Sequence, residues 1–191
     1  MVSTASAGAS IRYVIDTRAS QFTVQAFASG VISALSHSPK IAIREWTGEV
    51  QVAASATGSS LKVRVKSASL EVLDELKESD RQEIHRVRKI ELLETDRFPE
   101  IVYESSEVRL EKQKEDLYRA SVVGKLNLHG VTSNQEFFSQ VALGVDTARA
   151  YGNFSLRQSD YNIPIASIAG GTLKLHDELK FSFYVVARRQ R

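Results

Sequence analysis

The sequence predicts an all-β domain of about eight antiparallel strands, closed into a barrel or stacked as a sandwich, with one inserted amphipathic helix at about 80–93. Three observations carry this expectation. Apolar and polar residues alternate with period two in segment after segment. Short turn-forming stretches separate those segments. No strand–helix–strand alternation is visible, which argues against a parallel sheet.

The elements follow in order. In SQFTVQAFASG, Phe22, Val24 and Ala26 share one face, and Gln21, Thr23 and Gln25 share the other. That is the pattern of a half-buried strand. KIAIREWTGEVQVA continues it, with Trp46, Gly48, Val50 and Val52 opposite Thr47, Glu49 and Gln51. After the turn SATGSS, Leu61, Val63 and Val65 oppose Lys62, Arg64 and Lys66. From Leu70 to Thr95 the chain is charged and lacks a β-branched run. SDRQ reads there as a capping box, Ser79 accepting from the Gln82 N–H and Gln82 reaching back. Ile84, Val87 and Leu93 fall at helical spacing, so a helix is expected, ending before Pro99. Strands then resume in EIVYESSEVRLEK, EDLYRASVVGKLNLHG, EFFSQVAL, RAYGNFSLRQSDYNI and ELKFSFYVVARR. In the last, Leu179, Phe181, Phe183 and Val185 face one way, and Lys180, Ser182 and Tyr184 the other.

Composition narrows the function. The chain has 191 residues, 42% of them hydrophobic, enough for one domain with a real core. Residues 1–10, rich in Ser, Ala and Gly, are expected to form a mobile tail before a single domain over 11–191. Lys and Arg number 25 against 23 Asp and Glu, a net charge of +2 that gives little reason to expect a nucleic-acid partner. The absence of Cys excludes disulfides, thiolate catalysis and Cys-ligated zinc. The N-terminal segment has neither a basic region nor an apolar run of the secretory type, so a cytoplasmic location is expected, or a periplasmic one if the N-terminus was processed. No apolar run approaches the roughly 20 residues of a spanning helix.

Five segments carry a resemblance. YVIDTRASQF, with Asp16 and Ser20, resembles an opening strand; GEVQV resembles a second strand. RFPEIVYES resembles an FP-x-I-x-F-x-S strand, with Tyr103 at the aromatic position. VVGKLNLHGVTSNQEFFSQV resembles the hairpin G-x-L-T-x-H-G-V-T, and RQSDYNI resembles R-S-D-F-G-I. In this order and spacing they are similar to the YceI family over roughly Ile11 to Arg189. The resemblance implies a lipocalin-like, eight-stranded antiparallel barrel that binds a long apolar chain, a polyisoprenoid or isoprenoid quinone, in its lumen without catalysis. The sequence departs from the pattern at Asn162, where the family has glycine, and at Gln158, an extra residue between Arg157 and Ser159. Asn tolerates the left-handed conformation better than most residues, so the turn is expected to survive.

The candidate ligand-binding residues are therefore apolar. Phe22, Val24, Trp46, Val63, Val65, Tyr103, Leu126, Leu128, Phe154, Phe181 and Phe183 are expected to face inward. They either fill the interior or line a cavity for the tail of a lipid. Head-group candidates are His37, in a loop between strands, His129, beside the turn residue Gly130, and Arg157. Arg157 and Asp160 flank a turn and either close it as an ion pair or hold a polar head. His129 reads either as a turn residue or as a mouth residue; His85 falls in the helix and His176 in a turn before Asp177. The four His show no metal-ligand spacing, and no nucleophile elbow or phosphate loop is present. No catalytic residue, metal or cofactor is assigned beyond a bound lipid. Enzymatic use of His37 or His129, or a solid barrel serving as a stress-response structural module, are the rival readings. Transient membrane contact through the amphipathic segment and a homodimer through open strand edges complete the expected partners.

Overall fold

The computed structural model describes residues 10–30, 40–53, 58–73, 92–165, 167–168 and 173–190. Residues 1–9 of the predicted tail, His37, His85, Gly170, Gly171 and residues 80–91 of the predicted helix lie outside them, while Ser10, expected in the tail, opens a strand paired at Ala53. Leu92 and Leu93, the described end of that expected helix, belong to no α-helix, and the helix gains no support. Three short 3-10 turns stand among the described residues, at Thr17–Ala19, Ser67–Ser69 and Gln158–Tyr161.

The strands are β1 Ser10–Ile15, β2 Gln21–Gly30, β3 Lys40–Ile43, β4 Trp46–Ala53, β5 Ser60–Lys66, β6 Leu70–Val72, β7 Glu100–Lys112, β8 Leu117–Leu128, β9 Val131–Leu143, β10 Thr147–Arg157, β11 Ser167–Ile168 and β12 Leu173–Arg189. Eight of them close a ring in the order β1-β4-β5-β7-β8-β9-β10-β12 and back to β1, all antiparallel. The predicted class and strand number hold. The ring itself has no free edge, while β2, β3 and β6 continue from β12 as a branch that ends at β6 among the described residues.

The extra segments come from breaks in long strands. β1 and β2 are one run bent at Asp16–Ser20. The Asp16 carboxylate accepts from the N–H groups of Arg18 and Ala19, and the Ser20 hydroxyl donates to the Asp16 carbonyl at 2.7 Å. The bend lets β12 pair with β1 at Tyr13↔Arg189 and with β2 at Phe181↔Val24. β3 and β4 break at Arg44–Glu45, and β5 and β6 at the turn Ser67–Ser69. β7 carries a bulge between Ser105 and Glu107, and β12 another between Leu175 and Leu179 against β2. Bulges of this kind sharpen local twist, which a small barrel requires. His176 sits in the second bulge, inside a strand and not in the turn its neighbours suggested; the bulge mimics a turn locally.

Period two sets the faces. Along β8, Ala120, Val122, Gly124, Leu126 and Leu128 are buried while Arg119 and Lys125 are exposed. Outward charges pair across strands, as in Arg12–Glu49 at 2.8 Å, Lys62–Glu104 and Arg64–Glu100 at 3.2 Å. Such exposed pairs contribute little stability each. The inward side chains form two joined apolar clusters, one around Tyr103, Val122, Leu126 and Leu156, the other around Tyr13, Val24, Trp46 and Val65.

The β8–β9 hairpin turns in two residues, Leu128 pairing with Val131. Both turn residues have positive φ, 51° at His129 and 75° at Gly130. That is the requirement of a type I′ turn, whose twist matches the flanking strands. Positive φ is therefore borne by the histidine as well as by the glycine. Asn162 has φ 54° and ψ 28° at the end of the Gln158–Tyr161 turn, so it takes the left-handed conformation that the family glycine would supply.

Candidate functional site

The barrel interior is not solid. It contains a cavity of about 280 Å³. All eleven residues expected to face inward stand on its wall: Phe22, Val24, Trp46, Val63, Val65, Tyr103, Leu126, Leu128, Phe154, Phe181 and Phe183. Leu92 and Leu93 border it from the segment that precedes β7. No charged side chain lines it among the described residues. A charge buried there would lose its hydration without compensation, so the wall accepts apolar matter and repels ions.

Aromatic rings form a continuous band on the wall. Phe154 stacks on Phe181 at 4.7 Å and 5° between planes, and Phe137 stacks on Phe154 at 5.5 Å. Phe137 also meets Tyr103 at 5.5 Å and Phe183 edge-on at 5.7 Å, while Phe22 links Phe181 to Trp46. Phe137 is the hub of this band, and the sequence reading left it out. EFFSQV places two Phe in succession, and either fits an inward position locally. Counting back through the two-residue turn settles it, because Leu128 and Val131 are paired and Phe137 keeps the phase of Val131. Phe138 points outward, 49% exposed, under the Arg119 guanidinium at 4.7 Å.

The polar groups on the wall are few and neutral. The Tyr103 hydroxyl crosses Gly124 and donates to the Gln135 carbonyl at 3.2 Å. Burial, and next the Glu136 charge, push this phenol well above its ordinary value, so it stays protonated. Gln158, buried at 4% exposure, donates its amide to the His176 carbonyl at 2.9 Å. Ser59 Oγ accepts from the Ala53 N–H at 3.0 Å.

The two described head-group candidates stand elsewhere. The His129 side chain is 7% exposed and does not border the cavity. Its Nδ1 lies 3.1 Å from the Tyr161 carbonyl, its Nε2 3.0 Å from Glu94 Oε2, and its ring 4.5 Å from the Phe98 ring. Both nitrogens are thus engaged in tying the hairpin to the Glu94 segment and to the Gln158–Tyr161 turn. This is the turn reading of His129, not the mouth reading. Arg157 is exposed and also off the cavity wall. Among the described residues it forms no ion pair with Asp160. The turn is closed instead by Asp177, which accepts from the Ser159 N–H at 2.8 Å and the Ser159 hydroxyl at 2.6 Å. Those bonds, with the nearby Arg157 charge, hold the Asp177 carboxyl below its ordinary value. No group of three His, Asp or Glu side chains that could hold a metal occurs among the described residues. None of their helices is long and apolar enough to cross a membrane.

Known structures share this architecture. BcnA of Burkholderia cenocepacia is 16% identical with a TM-score of 0.69, over 90% of this chain and 98% of that one. A polyisoprenoid binding domain of Saccharophagus degradans, implicated in plant cell wall breakdown, is 13% identical with a TM-score of 0.67, over 93% and 98%. The YceI protein of Campylobacter jejuni is 14% identical with a TM-score of 0.53, over 79% and 84%. At these identities the likeness is one of fold. No curated protein matches the chain. The family model of the YceI-like domain matches residues 13–187, which run from β1 into the end of β12 and so take in the whole ring around the cavity; the chain belongs to the YceI family.

Proposed function

We propose that the protein binds and carries a long-chain apolar lipid, of polyisoprenoid or similar kind, in the barrel lumen, without altering it chemically and without a cofactor. The observation that carries this reading is the cavity of about 280 Å³ whose described wall holds no charged side chain. Ligand pockets run from about 300 to 1,000 Å³, so this volume stands at the small end and suits a single slender chain or a body of a few rings. Each methylene removed from water contributes about 0.8 kcal/mol. A tail of about ten such groups thus contributes roughly 8 kcal/mol of gross driving force, from which association costs are subtracted, and each further methylene buried adds to the surplus. No reactive group is required for that driving force. The Saccharophagus degradans structure of like fold is a polyisoprenoid binding domain, which agrees with this class of ligand.

Native mass spectrometry on gently purified protein tests the reading. The expected result is an added mass that organic extraction removes and that matches an apolar chain. Protein of bare mass that also fails to take up N-phenyl-1-naphthylamine, a neutral apolar fluorophore, would refute it.

A further inference from the structure

Among the described residues, one hydroxyl on the cavity wall has no partner. Three hydroxyls line the cavity among the described residues: Ser59, Tyr103 and Ser139. The first two have backbone partners within the protein. Ser139, on β9, is 7% exposed and its hydroxyl has no partner among the described residues. Thr95 Oγ1 is the one fully enclosed side-chain oxygen without a partner among the described residues, so the Ser139 hydroxyl is open to the lumen it lines.

Ser139 has small partners on both strands beside it. It pairs with Ala120 on β8 and with Gly152 on β10, and Gly152 pairs in turn with Phe183 on β12. A side chain at Gly152 would run into the Phe138 carbonyl at 2.6 Å and the Phe183 ring at 2.8 Å. The Phe183 ring therefore lies over Gly152, which is not on the cavity wall, while Ala120 on the other side is. A ligand atom next to Ser139 meets one hydroxyl, the small side chain of Ala120 and the rings of Phe137 and Phe183.

From this the geometry points to a polar subsite inside the lumen, at Ser139, which recognises a neutral hydrogen-bonding function on an otherwise apolar ligand: a hydroxyl, carbonyl or amide. The inference rests on the lipid-binding reading above and narrows it to amphiphiles whose polar atom enters the barrel. A carboxylate or phosphate is disfavoured, since the described wall offers no cation to balance it. The serine hydroxyl both donates and accepts, so it matches a carbonyl as well as an alcohol.

The test uses the full chain and displacement of N-phenyl-1-naphthylamine by two probes of equal chain length, hexadecane and hexadecan-1-ol, on the natural protein and on Ser139→Ala. The expected result is that Ser139→Ala weakens hexadecan-1-ol about 2- to 10-fold, the range one net hydrogen bond supplies, and leaves hexadecane unchanged. The alkane serves as the control for folding and for the lumen itself. If Ser139→Ala changes both probes alike, or neither, the subsite is refuted while lipid binding stands. If neither probe displaces the fluorophore from the natural protein, the lumen reading falls, and the subsite with it.

Discussion

Gly124→Ala is the substitution that most directly probes how the barrel is built around its cavity. Gly124 lies on β8 opposite Ser105, where β7 bulges, and the Tyr103 phenol passes over it to reach Gln135. An added Cβ would run into the Glu104 carbonyl, and would stand 2.7 Å from Ser105 Cα and 2.7 Å from the Tyr103 hydroxyl. Two of those three atoms are backbone, so only the phenol can give way readily. Overpacking of this kind costs about 1–3 kcal/mol, and loss of the Tyr103 hydrogen bond adds about 0.5–1.5 kcal/mol. For a domain of this size each kcal/mol lowers Tm by about 2–4 °C, so a drop of about 5–15 °C is expected. Thermal unfolding followed by far-ultraviolet circular dichroism measures it. The cause is isolated by a double-mutant cycle with Tyr103→Phe. Removing the hydroxyl relieves part of the clash, so Tyr103→Phe must cost less in the Gly124→Ala background than alone. A Tm unchanged within 2 °C, or strictly additive effects, would refute the reasoning.

Further outcomes follow from the same geometry. Thr95 is 4% exposed and its hydroxyl is buried with no partner among the described residues; Thr95→Val keeps the shape, removes the unmet group and should raise Tm by about 2–4 °C in a melting experiment. Ala150 stands on the cavity wall, so Ala150→Trp should lower affinity for N-phenyl-1-naphthylamine at least tenfold while the folded circular-dichroism spectrum is kept; unchanged affinity would place the ligand outside the lumen. The Asp16 carboxyl is held below its ordinary value of 3.8, first by its bond to Arg188 and then by the Ala19 N–H. Its ionised form therefore favours the fold, a contribution fully present above 3.8 and lost as pH falls through the lowered folded value. Asp16→Asn should flatten the dependence of Tm on pH in that acid range and leave its slope at neutral pH unchanged.

Much of the barrel was legible because its faces alternate. Where one apolar residue stands between two polar ones, as in Leu61-Lys62-Val63-Arg64-Val65, a register slip would expose the whole set, so local sequence decides the face. Where two like residues adjoin, as in Phe137-Phe138, it does not, and the phase had to come from the turn. The bend at Asp16–Ser20 was visible only as family positions, because its hydrogen bonds reach Val186 and Arg188 at the far end of the chain. The surroundings of His129 were hidden for the same reason: Glu94 and Tyr161 lie 35 and 32 residues away. Ser139 reads in sequence as one more polar residue in EFFSQV, and only the pairing with Ala120 and Gly152 gives it a place.

The pairing of β1 with β12 has a consequence for biosynthesis. The seam of the ring is made by Tyr13↔Arg189 and Ile15↔Ala187, and the ion pair beside it joins Asp16 to Arg188, 172 residues apart. A ribosome delivers about 5–20 residues each second, so β1 waits many seconds with an unpaired edge and an apolar face. Throughout that wait the nascent chain is an open sheet and not a container. Early termination anywhere before Leu173 would release it in that form, with exposed edges able to recruit strands from other chains. The protein acquires an inside only when β12 closes the sheet onto β1 and β2.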